Sequence, residues 1–455
     1  MKPFKHPKKK KKKRKKKMGG GGAMGITKTT ILKPPTNPNS PLHNTKVPLT
    51  IFDRAAFDLH VAVLYAFRPP MPSNSTLISA LSTTLLHFPH LAGTLSIDPT
   101  NHNLPCIHLN NAGALLVETY LPITLSDQLP LLDRPSPDLA RLHPSTQGDV
   151  PHLLQIQLNR YACGGLVIGQ TAHHHVADGQ SMSAFFRIWA ELARGALEPS
   201  PPLPFHDRAA IAVPRHPPRV AFNHREIEFK NDKARATARG GSSIESLSVR
   251  YSAEFVSALK MKAAERCSTF ECLLAHTWKK ITAARGLNAG TTTRVRVAVN
   301  GRARMREPGV PMEYFGNLVL WAYPEMRVEE LMKGGYGSAV KAIHEAVARV
   351  DDAYFKSFVD FGEVVAKEEE VLVATAPEVG RVLCPDLEVD SWLRFRFHEL
   401  DFGSGGPCAF LPPDLPIEGL LVFAPSIKEV GGVDVFLALE HEHGRKFKEI
   451  YNYID

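Results

Sequence analysis

Thr171-Ala172-His173-His174-His175-Val176-Ala177-Asp178-Gly179 decides how this chain is read. Ahead of it, Leu166-Val167-Ile168-Gly169 is a short apolar run of the kind a buried strand carries. Behind it, Met182, Phe185, Phe186, Trp189 and Leu192 recur at helical spacing. The histidines and the carboxylate therefore stand at a strand-to-helix corner, where a sheet presents side chains to a cleft. A histidine at the outgoing end of the strand can face a substrate while an aspartate four residues later turns inward. We read His174 as a general base and Asp178 as the residue that fixes the corner, with N-capping of the helix as its plainer use. Adjacent strand residues point to opposite faces, so His173 and His174 do not readily share a metal ion. The chain contains no HExxH and no paired CxxC, and no metal site is expected.

The 455 residues suffice for two domains with cores of their own. At 44% hydrophobic and 22% charged, the composition is globular. No run of about 18 apolar residues occurs, so no membrane span is expected, and the N-terminus lacks the apolar segment of a secretory leader. Cys106, Cys163, Cys267, Cys272, Cys384 and Cys408 follow no disulfide or zinc spacing, which fits a reducing compartment such as the cytosol. The Asn74-Ser75-Thr76 sequon has no meaning without secretion. A net charge of +9 suggests a polyanion partner, yet residues 1–17 hold twelve Lys or Arg and no acid. Subtracting twelve from +9 leaves −3 for the remainder, so no nucleic-acid partner is expected.

Residues 1–45 read as a disordered basic tail and lead-in, because the tract from Lys8 to Lys17 and the glycines at 19–22 bury nothing. That tract is either a polyanion-binding or nuclear-import tail, or an extension ahead of a start at Met24, where Met24-Gly25-Ile26-Thr27-Lys28-Thr29 formally matches a myristoylation pattern. Residues 46–195 read as a first α/β domain. Its strands include 61–67 and 154–158, and Asn74 caps a helix with Leu77, Leu81, Leu85 and Phe88 on its apolar face. Prolines at 199, 201, 202, 204, 214, 217 and 218 mark a linker over 196–243. Residues 244–455 read as a second domain. It has strands at 246–250, 295–299, 419–423 and 433–439, and Ser268 with Glu271 boxes the start of a helix bearing Leu274, Trp278 and Ile281. No GxGxxG or P-loop is present, and no nucleotide cofactor is expected.

His173-His174-x-x-x-Asp178-Gly179 resembles the HHxxxDG signature of the CoA-dependent acyltransferase superfamily. Asp401-Phe402-Gly403-Ser404-Gly405 resembles the DFGWG motif of its plant BAHD branch and lies 223 positions beyond Asp178. Stretches 48–53, 206–208, 301–305, 314–317, 354–358, 388–394 and 418–421 are similar to the amine-acylating members, in particular agmatine hydroxycinnamoyltransferases. The resemblance covers about Thr27 to Asp455. It implies an α/β fold of two related chloramphenicol-acetyltransferase-like domains, with mixed sheets flanked by helices and a channel at their interface. It implies a hydroxycinnamoyl-CoA such as coumaroyl-CoA as acyl donor, the primary amine of agmatine or a similar amine as the expected acceptor, no bound cofactor and a monomer. It further implies that Asp178 pairs with Arg302, and that Asp401, Phe402, Gly403 and Gly405 shape the channel without acting as a base. Ser268 and Thr269 are candidate CoA contacts. Ser404 replaces the motif's usual Trp, and Gly406 stands where Arg is common.

An acyl-CoA thioester already carries a good leaving group, so what the reaction lacks is a deprotonated acceptor. A histidine near pKa ~6.5 is largely unprotonated at pH 7 and so is available as the base for an incoming amine, which in water is an ammonium ion near ~10. No separate Ser or Cys nucleophile is evident, which points to direct transfer. Alternation over 387–392 puts Glu388 and Asp390 on one face, either as an exposed polar edge or as a site for a second cation such as the guanidinium of agmatine. Tryptamine, a polyamine or an alcohol such as shikimate remain open as acceptors. A protein that binds polyanions through its Lys tract is the reading from another class.

Overall fold

The histidine strand, Leu166–His173, lies inside a six-stranded mixed sheet in the computed structural model, with all eight of its residues buried. The model describes residues 25–35, 44–100, 104–146, 150–230, 243–263, 266–368, 372–375 and 377–455. The basic tract, Met24 and the latter part of the expected linker lie outside the described residues. The strand order is Gly25–Leu32, Ala114–Leu121, Leu154–Tyr161, Leu166–His173, His60–Phe67 and Ala409–Leu411. Only Ala114–Leu121 and Leu154–Tyr161 run parallel in it; the other neighbours are antiparallel. Helix Gly179–Ala193 covers this sheet with Phe185, Phe186 and Trp189 fully buried. The Trp189 indole donates to the Leu77 carbonyl of helix Asn74–His87 at 2.9 Å.

The second sheet orders Ile244–Tyr251, Val433–Glu440, Leu420–Pro425, Leu387–Ser391, Thr292–Asn300 and Val319–Ala322, with Glu325–Arg327 also pairing on Thr292–Asn300. Leu387–Ser391 runs parallel to both its neighbours. Val389, Leu421 and Leu437 point to one side, into a core around Trp278 and Phe358. Val422, Ala424, Phe436 and Ala438 point to the other side, into the core of the first half. That second side carries Glu388 and Asp390, by the two-residue alternation of a strand.

Each half also lends a segment to the other. Helix Ile51–Ala55 puts Ile51 and Phe52 into the second core, and Phe397, Phe402 and Phe410 enter the first. A fully buried side chain of this size contributes about 1.5–3 kcal/mol, so the exchange ties the halves together.

The structure corrects four readings. Residues 25–32 belong to the globular part, where the β-branched run Thr29-Thr30-Ile31 forms an edge strand against Ala114–Leu121. Ser73, not Asn74, caps the helix over 74–87: its hydroxyl accepts from the Thr76 N–H, while Asn74 bonds Glu118 and Arg160. The described part of the Pro-rich segment is docked, with Phe205 bonded to Glu313 and Phe315 through the backbone and Arg215 paired to the buried Asp360. The DFGSG segment packs with the first half although it follows the second half in sequence, since Ala409–Leu411 pairs with His60–Phe67.

Candidate active site

His174 is the first residue past its strand. Its backbone N–H donates to the Leu59 carbonyl at 2.9 Å, and its carbonyl accepts from the Asn317 amide at 2.8 Å. The ring lies 5.7 Å from the Phe57 ring, and its buried Nδ1 has no hydrogen-bond partner among the described residues. Burial lowers the imidazole pKa below its ordinary value, with the Asp178 charge opposing. The ring is therefore neutral at pH 7 and able to accept a proton.

Asp178 serves in two ways at once. As N-cap of helix Gly179–Ala193 its Oδ1 accepts from the Ser181 N–H at 2.9 Å. It also forms a two-pronged pair with Arg302, at 2.7 Å from Nη1 and 3.0 Å from Nη2, with both residues buried. Burial pushes the Asp178 carboxyl up, but the Arg302 charge and the hydrogen bonds from Arg302 and Ser181 outweigh it and hold the carboxyl low. The guanidinium continues to the Tyr314 and Gly316 carbonyls, so the loop carrying Asn317 is fastened to the same group. Gly179 completes the corner: a Cβ there would lie 2.5 Å from the Phe395 ring. The structure thus unites His174, Asp178, Gly179 and Arg302.

A second anchor escaped the sequence reading. Buried Asp53 accepts from both the Asn317 backbone and its side-chain amide, at 3.1 and 3.0 Å, and pairs with Arg208 at 2.6 Å. Asn317, which grips the His174 carbonyl, is therefore itself held. Asp53, Arg208 and Asn317 occur in stretches matched to the family, but nothing in their separation shows that they meet. A cavity of about 640 Å³ opens beside this anchor, lined by Ile51, Arg54, His90, His206 and Arg208.

The remaining candidates stand apart from that cluster. Glu388 is buried and paired with Arg296, its register neighbour, at 3.0 Å; Arg296 in turn lies 3.8 Å over the Trp321 ring. The expectation of two available carboxylates is corrected to one, because parallel pairing sets an arginine beside Glu388. The half-buried Asp390 carboxyl is pushed up to about 7, first by burial and then by the Glu388 charge, with Arg296 opposing. Ser268 is the N-cap of helix Thr269–Arg285 and completes its capping box with Glu271, leaving Thr269 at the first helical position. Asp401 closes its own loop, accepting from the N–H groups of Gly403, Ser404 and Gly405 at 2.7–2.9 Å. Gly403 and Gly405 have φ of +114° and +86°, which glycine adopts without strain. Phe402 is buried edge-on to Phe67 and Trp189.

Among the described residues, a buried imidazole at a strand end thus stands beside an inward, two-pronged Asp178–Arg302 pair. The chain belongs to the family described as Transferase, the BAHD acyltransferases, whose model matches residues 26–453. It is similar to tryptamine hydroxycinnamoyltransferase 2 of Oryza sativa subsp. japonica, 48% identical over 439 residues that cover 94% of this chain and 98% of that one. It is also similar to agmatine hydroxycinnamoyltransferase 1 of the same organism, 45% identical over 410 residues, 86% of this chain and 90% of that one. The crystal structure of vinorine synthase shares the fold, with a TM-score of 0.70 at 20% identity over 93% of this chain and 96% of that one. The chain is an acyl-CoA-dependent N-acyltransferase. No helix among the described residues is long and apolar enough to cross a membrane.

Proposed function

We propose that this chain moves a hydroxycinnamoyl-type group from CoA to the primary amine of an arylalkylamine such as tryptamine. His174 is the observation that carries the chemistry. The acceptor enters as an ammonium ion and gives a proton to the neutral imidazole, and its nitrogen attacks the thioester carbonyl. The imidazolium gives that proton to the CoA sulfur as the C–S bond breaks, and the freed imidazole then takes the second of the two protons the ammonium must lose and passes it to solvent, leaving the neutral amide. Asp178 does not touch the reacting atoms in this scheme; it positions the corner through Arg302. CoA approaches past Ser268 and Thr269, where a helix N-terminus suits phosphate, and the acceptor approaches from the opposite side of an interface channel. One chain supplies every residue named, so a single chain is the working unit.

The Arg296–Glu388 pair supports an acceptor whose far end is neutral, since it neutralises one of the two carboxylates that a guanidinium would need. The relative named for tryptamine supports the same choice. Agmatine is the second reading, favoured by Asp390, the carboxyl beyond that pair. The test is a thiol-release assay on purified protein with aromatic acyl-CoA donors and a panel of amines. Tryptamine should show the higher kcat/KM, and His174→Ala should lower turnover about 10²–10⁴-fold. Asp390→Asn should leave tryptamine unaffected; a loss of about tenfold or more on agmatine, the worth of one charge-assisted hydrogen bond, together with a preference for agmatine, would overturn the acceptor choice but not the chemistry.

A further inference from the structure

We propose that Asp58, His173 and His175 form a binding site for a zinc-class divalent ion that slows the enzyme. The Asp58 Oδ1 lies 3.5 Å from His173 Nε2 and 3.5 Å from His175 Nδ1, and all three atoms fall within 4.8 Å of one another. A tetrahedral zinc ion with bonds of about 2.0–2.1 Å sets its ligand atoms about 3.4 Å apart, so the three groups already stand near coordinating separation. Two imidazole nitrogens and a carboxylate oxygen are a donor set that zinc favours over magnesium or calcium. Residues 173 and 175 reach one side of the corner while His174 takes the other, so the spacing of two succeeds where an adjacent pair fails. The Asp58 side chain is 79% exposed, which gives the ion a path in and leaves a fourth position to water.

The site brackets the base. Asp58 follows Phe57, whose ring faces His174, and precedes Leu59, whose carbonyl holds the His174 N–H. An ion there clamps the two chain segments on either side of His174 and sets positive charge beside the path of a cationic acceptor. Binding has an opposing term. The His173 Nδ1 accepts from the His175 N–H at 3.3 Å, which leaves the ring proton on Nε2. An ion at Nε2 moves that proton to Nδ1 and gives up this long hydrogen bond.

The experiment titrates chelator-stripped, full-length protein with Co²⁺ and then Zn²⁺. One Co²⁺ per chain should bind with the visible absorption of a tetrahedral site, Zn²⁺ should displace it, and turnover should fall as the site fills and return with chelator. Asp58→Ala should keep metal-free turnover, weaken binding at least about 10–100-fold, by analogy with the loss of a ligand's supporting contact, and resist zinc. His175→Gln should weaken binding likewise. Absence of saturable binding, unchanged affinity in Asp58→Ala, or full occupancy without loss of turnover overturns the proposal.

Discussion

Two Asp-x-Gly or Asp-Gly corners sit at opposite ends of one helix and use their carboxylates in opposite ways. Asp178 starts helix Gly179–Ala193 and reaches 124 residues along the chain to buried Arg302. At the other end, Arg194 donates to the carbonyl of Asp401, whose carboxylate turns back on three N–H groups of its own loop. The first corner joins the halves beside His174; the second shapes a surface loop around the buried Phe402. A motif aspartate therefore takes its role from what surrounds it: a buried one needs a partner charge, while a half-exposed one is satisfied by local backbone.

Breaking the first corner should have the larger effect. Asp178→Asn leaves the Arg302 charge buried and unmatched, which costs about 3–5 kcal/mol and should appear as a large drop in the thermal midpoint with loss of turnover. Adding Arg302→Met should cost less than the sum of the single losses; strict additivity would show that the pair is not coupled. Asn317→Ala should cost about 1–3 kcal/mol by leaving the His174 carbonyl without its amide donor and removing one of several hydrogen bonds to buried Asp53. It should lower kcat more than it raises KM. Asp401→Ala should be the mildest, about 1 kcal/mol, with kcat within a few-fold of wild type. If Asp401→Ala matched His174→Ala in lost turnover, the contrast between the corners would collapse.

Much of this was readable from the chain. The apolar run 166–169, the helical spacing after Gly179 and the capping box at Ser268 each carry local periodicity or capping chemistry that short windows reveal. The His174–Asp178–Arg302 grouping came from family resemblance, since nothing local points from residue 178 to residue 302. Asp53, Arg208 and Asn317 were hidden for the same reason, as Asp53 and Asn317 meet across 264 positions. Ala409–Leu411 is too short to announce which sheet it joins. Glu388 looked available because alternation assigns a face but not a register, and only the parallel pairing with Thr292–Asn300 brings Arg296 to it.

The pH dependence of kcat/KM for amide formation bears most directly on the role of His174. A base whose buried imidazole is held below its ordinary pKa predicts an acidic limb centred below about 6.5, missing from the residual rate of His174→Ala. An acidic limb at or above that value, or one that persists unchanged in His174→Ala, would contradict the assignment.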